Sequence, residues 1–150
     1  AGVGVHLVVD VELAGTRLFV AHGTGVEILD VSTPSSPVRL GGYATDGDAF
    51  RVKVVGSTAY VGIRDSVVRP SFQILNIANP AAPSYLGGFR TGSEVSGISI
   101  VGNLAYLATL DGGIQILNVA TPATITRLAT VATATNTNIS AAATPIGNQL

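Results

Sequence analysis

The chain has 150 residues, 47% of them apolar and 11% charged, with a formal net charge of -1, which suits one globular domain with a buried core and excludes the broad basic surface that nucleic acid or an anionic membrane requires. Cysteine is absent, so disulfides, thiolate metal sites and cysteine nucleophiles are excluded together. The apolar stretches are cut by Gly, Pro, Asp or Asn before the roughly 20 residues of a helical span, and the strands they suggest fall short of the roughly 9 to 11 residues of an outer-membrane barrel, so the chain reads as soluble and no membrane insertion is expected.

In chain order, short apolar and β-branched runs divided by turn residues predict strands and almost no helix. The first four cover about 6–14, 17–22, 25–31 and 37–44, the next four about 49–55, 58–63, 71–77 and 84–90, and the last four about 95–101, 104–109, 113–119 and 124–132. Asp111-Gly112-Gly113 is a strong hairpin signal, because Gly accepts the positive φ of primed turns. After the third strand of each set come Asp30-Val-Ser-Thr-Pro34, Asn76-Ile-Ala-Asn-Pro80 and Asn118-Val-Ala-Thr-Pro122. The Asp or Asn oxygen can accept from a backbone N–H two residues on while Pro ends the strand, so these three residues are expected to be structural.

The sets are copies of one another. Gly15-Thr-Arg-Leu-Phe19-Val20, Gly56-Ser-Thr-Ala-Tyr60-Val61 and Gly102-Asn-Leu-Ala-Tyr106-Leu107 open segments that continue in parallel from Val26, Phe72 and Ile114. Gly15 and Gly56 are 41 residues apart, Leu29 and Leu75 are 46 apart, so copy two carries an insertion over Gly62–Ser71. The copies divide the chain at about 6–46, 47–92 and 93–133, with 134–150 a tail or the start of a fourth, since Gly147-Asn-Gln-Leu150 aligns with Gly102-Asn-Leu-Ala105. Four-stranded units of this period are the signature of propeller blades. The expected fold is all-β, with three four-stranded antiparallel β-propeller blades of about 41–46 residues each, open or completed by further repeats or other chains.

The Gly turn, Ala-Tyr-Val, Ile-Leu-Asp-Val-Ser-x-Pro and Pro-x-x-Leu-Gly-x-Tyr pattern resembles the LVIVD repeat family of β-propellers over residues 6–132. The resemblance implies proteins that are often large and exported or surface-attached, and it implies no reaction. Copy three departs from the pattern, with Ile125 for Pro37 and Pro83 and Ala129 for Gly41 and Gly87, which predicts that its outer strand pairs differently. Three blades rarely close a ring, since propellers typically use about 4 to 8. Three arrangements stay open: an excerpt of a longer array, a ring of copies and a head-to-tail fibre.

Chemistry is harder to find. Phosphate-loop, H-E-x-x-H and G-x-S-x-G motifs are absent, and Gly23-Thr-Gly25 lacks the helix that dinucleotide binding needs. Asp46-Gly-Asp48 is the candidate metal site, for calcium, although a full shell needs about 6 to 8 oxygen ligands. Copy three has Ser93-Glu94 at the equivalent loop. His6 and His22 have no carboxylate cluster nearby in sequence and read as structural. Arg64, Asp65 and Arg69 in the insertion, with Ser93 and Glu94, are candidate binding residues, because loops on a rigid scaffold carry specificity. Asn138-Ile-Ser140 matches the glycosylation acceptor pattern, in a segment that otherwise reads as a linker.

Together these readings predict a non-enzymatic scaffold or protein-interaction module of an extracellular or cell-surface protein, its partner another protein or further copies of itself. A single Lys against seven Arg fits that location. Two other readings compete: a structural subunit of a self-assembling ring or filament, and a hydrolase using Asp46, Asp48 and Glu94.

Overall fold

The structure, a computed structural model, describes residues 7–64, 70–111 and 113–132. They form three antiparallel sheets, each a four-stranded meander in chain order. Blade 1 is β1 (Val8–Ala14), β2 (Arg17–His22), β3 (Gly25–Asp30) and β4 (Val38–Ala44). Blade 2 is β5 (Asp48–Val55), β6 (Thr58–Arg64), β7 (Phe72–Asn76) and β8 (Ser84–Phe89). Blade 3 is β9 (Val95–Val101), β10 (Leu104–Thr109), β11 (Gly113–Asn118) and β12 (Thr126–Val131). No helix among the described residues is long and apolar enough to cross a membrane.

The first hairpin of every blade turns on a glycine. Ala14 pairs with Arg17, Val55 with Thr58 and Val101 with Leu104, which leaves two-residue loops whose first members, Gly15, Gly56 and Gly102, have φ of 62°, 58° and 55°. Positive φ at the first loop position is what a II′ turn requires, and its twist matches that of the strands. The third and fourth strands are joined as the sequence predicts: the N–H groups of Ser32, Ala78 and Ala120 donate to Oδ1 of Asp30, Asn76 and Asn118 at 2.8, 2.9 and 2.9 Å.

Copy three's outer strand does not pair differently. The register skips Leu40 between Ile28/Gly41 and Leu29/Arg39, Leu86 between Ile74/Gly87 and Leu75/Tyr85, and Leu128 between Ile116/Ala129 and Leu117/Arg127. The same bulge therefore sits at the same place in all three blades. Ile125, in place of Pro, follows a single 3₁₀ turn, Pro122–Thr124, and β12 starts at Thr126, just as β4 and β8 start at Val38 and Ser84 directly after Pro37 and Pro83. The connecting turn closes alike in all three blades, the N–H groups of Ser36, Ala82 and Thr124 donating to the carbonyls of Thr33, Asn79 and Thr121, so the departures from the repeat leave both turn and pairing intact.

Alternation along the strands gives each sheet two apolar faces, and both faces of blade 2 are covered. Ala59, Val61, Ile63, Leu75 and Ile77 pack with Phe19, Ala21, Val26 and Ile28 of blade 1. Tyr60, Phe72 and Ile74 turn the other way and pack with Val95, Ala105, Leu107, Leu117 and Val119 of blade 3. Tyr60 and Phe72 stack with centroids 6.1 Å apart. Burying a side chain such as Phe72 or Leu75, both 0% exposed, contributes about 1.5–3 kcal/mol. The solvent-facing ion pairs Arg39–Glu27 and Lys53–Glu12, at 3.0 and 3.4 Å, contribute about 0–1 kcal/mol each. The apolar leaves between blades therefore hold the stack.

Candidate functional site

The chain passes from one blade to the next through two equivalent turns. Thr45 Oγ1 donates to the Gly47 carbonyl and Thr91 Oγ1 to that of Ser93, and both threonines are buried. The next residue is left-handed in each: Gly92 has φ of 81°, and Asp46, the one non-glycine with positive φ among the described residues, 59°. Asp tolerates that conformation better than most residues because its short side chain hydrogen-bonds locally. Its carboxylate also acts on Tyr43, whose phenol is pushed up first by burial and then by the Asp46 charge.

These turns bring several of the sequence candidates together. Asp48, at the start of β5, is paired in register with Arg64 at the end of β6. Arg64 Nε lies 3.2 Å from Glu94 Oε1, and its guanidinium stands 4.2 Å from the centre of the Phe50 ring. Arg51 stands 4.3 Å from the same ring, with Nε donating to the Ser96 carbonyl and Nη1 to the Phe50 carbonyl, both at 2.8 Å. Ser93 Oγ accepts the Asp111 N–H at 3.0 Å. One rim of the stack thus carries Asp48, Phe50, Arg51, Arg64, Ser93, Glu94 and Asp111.

Two arginines sharing one phenyl ring, one of them also ion-paired, form a rigid surface for planar or charged groups. The rim offers hydrogen bonds and charge. Among the described residues no group of three or more His, Cys, Asp or Glu is placed to hold a metal, so Asp46 and Asp48 bring calcium two carboxylates of the 6 to 8 oxygens, roughly, that it takes. His22 serves its own turn: its Nδ1 accepts from the Thr24 N–H at 3.3 Å. His6, Asp65, Arg69 and Asn138 lie outside the described residues.

Phe50, Arg51 and Asp111 were not legible as site residues. Phe50 is the residue skipped by the bulge between Ala49 and Arg51, and only the bulge aims it at the arginines. At the opposite rim a shallow cleft of about 290 Å³ lies between Ala14, Arg17, Phe19, Gly56, Ser57, Ile77 and Ala78. It carries one charged side chain, Arg17, and is near the lower limit of about 300 Å³ for small-molecule pockets.

The LVIVD repeat matches the chain three times, over residues 8–45, 46–91 and 92–133, one match to a blade. The chain belongs to the LVIVD repeat family. Its structure is similar to that of the computationally designed Ika4 protein, with a TM-score of 0.68 at 11% identity, over 85% of this chain and 74% of that one. It is also similar to the designed Ika8 protein, with a TM-score of 0.60 at 12% identity over 79% and 35% of the two chains. The N-terminal domain of Nup159 gives 0.51 at 13% identity over 85% and 31%. The LVIVD chain thus spans about a third of the latter two, and at these identities the likeness is one of fold, the β-propeller. No curated protein matches the LVIVD chain.

Proposed function

We propose that this LVIVD chain is a non-enzymatic propeller scaffold that binds a protein partner through the rim built by its blade-to-blade turns, in an extracellular or cell-surface setting. The observation that carries the reading is the Arg64 cluster: a guanidinium at the end of β6, held between Glu94 and the Phe50 ring beside turns fixed by buried threonines. Binding residues held in this way lose little entropy on association, and arginine with aromatic neighbours is the composition enriched at binding hot spots. The setting draws on the exported or surface-attached proteins that the family resemblance implies and on the single Lys against seven Arg.

The test is retention of a partner from the surface fraction of the producing cell by immobilised protein, compared between wild type, Arg64→Ala and Arg17→Ala at the opposite rim. A partner held by wild type and Arg17→Ala and lost at least tenfold by Arg64→Ala supports the reading. Retention unaffected by Arg64→Ala sinks it. A second reading, a subunit that assembles through its blade faces, draws on Val8, Val11 and Leu13 of β1, which are 55%, 52% and 62% exposed.

A further inference from the structure

Each of the two seams between blades is built from the same four parts. The first is the apolar leaf already described. The second is a seat: the Pro80 carbonyl rests on bare backbone at Gly41, and the Pro122 carbonyl on that at Gly87, where a Cβ would stand under 3.0 Å from the carbonyl oxygen. The third is a pin: Gln73 Nε2 donates to the Thr45 carbonyl at 3.2 Å, and Gln115 Nε2 to the Thr91 carbonyl at 2.8 Å. The fourth is a link between innermost strands, where Asp10 Oδ2 accepts the Val52 N–H at 3.0 Å and Arg51 Nε donates to the Ser96 carbonyl at 2.8 Å.

Strand register identifies the counterparts of these residues on the two outer faces of the stack, on which no other described blade packs. Gly41 and Gly87 stand opposite Ile28 and Ile74, and Ala129 stands opposite Ile116. Gln73 and Gln115 stand opposite Val61 and Leu107, and Glu27 opposite Val20. Asp10 and Arg51 stand opposite Ala21 and Gly62, and Gly97 opposite Ala108. All three polar or steric parts of a further seam are thereby spoiled. Ala129 has a Cβ where the next blade's carbonyl must rest. Glu27, as a carboxylate, accepts hydrogen bonds and cannot donate one to the carbonyl of a preceding blade. Gly97 has no side chain to reach the next innermost strand.

We infer that Glu27, Gly97 and Ala129 stop the chain from stacking head-to-tail on copies of itself, so that the two-copy, six-blade ring that blade number alone invites is not the assembly this sequence encodes. The apolar leaf would still be offered by Val8, Val11 and Leu13. Discrimination lies in the other parts, as expected where specificity is set by clashes and unpaired polar groups against the wrong partner. A homotypic seam would bury the Glu27 carboxylate where Gln73 and Gln115 place a donating amide, and would push the blades apart at Ala129.

Light scattering over a concentration series tests this on the wild type and on the double variant Glu27→Gln/Ala129→Gly. The wild type should hold its monomer mass of 15.1 kDa, and the double variant should self-associate at least tenfold more tightly. Adding Leu13→Glu to the double variant puts a charge in the apolar leaf and should return it to the monomer mass, which separates seam formation from unspecific aggregation. A wild type that gains mass with concentration, whether to a discrete dimer or without bound, overturns the inference. So does a double variant that behaves as the wild type, or one whose association survives Leu13→Glu.

Discussion

One side-chain oxygen is placed alike in three blades at Asp30, Asn76 and Asn118, but only Asp30 can titrate. Its carboxyl is held below the ordinary carboxylate value, first by the Ser32 backbone N–H, then by the Ser32 side chain, and last by the Arg17 charge. A depressed folded pKa stabilises the fold above the unfolded value, and that contribution is lost as pH falls through the folded value. Asp30→Asn keeps the acceptor, as its two counterparts show, and removes the titration. The wild type should therefore lose stability relative to Asp30→Asn as pH falls below the ordinary carboxylate range, while the two behave alike near neutrality; thermal unfolding at a series of acid pH values reads the difference. The three turn residues were legible because the interaction is local, two residues along the chain. Arg64 was legible only as a candidate, because its partners are distant in the chain, Phe50 on β5 and Glu94 in the turn just before β9.

At the scale of one strand, the Leu-Gly-Gly sequence of β4 and β8 has two separate uses. Leu40 and Leu86 are the bulge residues, and Gly41 and Gly87 are the seats for the next blade. A Cβ at Gly87 would collide with the Pro122 carbonyl, backbone that cannot swing away as a side chain would. Gly87→Ala should therefore cost about 1–3 kcal/mol, the range for overpacking a close-fitted site, read as a fall in the midpoint of thermal unfolding. The identical residue at position 129 is native and tolerated, since no described blade rests there. From the sequence, this glycine-to-alanine departure predicts altered pairing within the sheet. The consequence lies instead between sheets, in a contact that strand pairing does not involve.

Across the whole molecule the apolar leaves outweigh the ion pairs that span them. Leu75→Ala, at a side chain 0% exposed in the leaf between blades 1 and 2, should cost about 2–5 kcal/mol. Lys53→Ala, which breaks the ion pair to Glu12 across the same seam, should cost under about 1 kcal/mol. Denaturant unfolding of the two variants measures the ratio, and equal losses would show that charge holds the seam.

Strands, hairpins, the three-fold repeat and membership of the LVIVD family were all determined by the sequence itself, because the alternation of apolar residues and the chemistry of Gly, Pro, Asp and Asn act over a few residues. The tertiary structure alone decided which face of each sheet meets which neighbour. Gln73 finds the Thr45 carbonyl, Arg51 that of Ser96 and Gly87 that of Pro122 only once the sheets are stacked. Those contacts join residues tens of positions apart through the geometry of two packed surfaces, and no spacing within a single repeat encodes them.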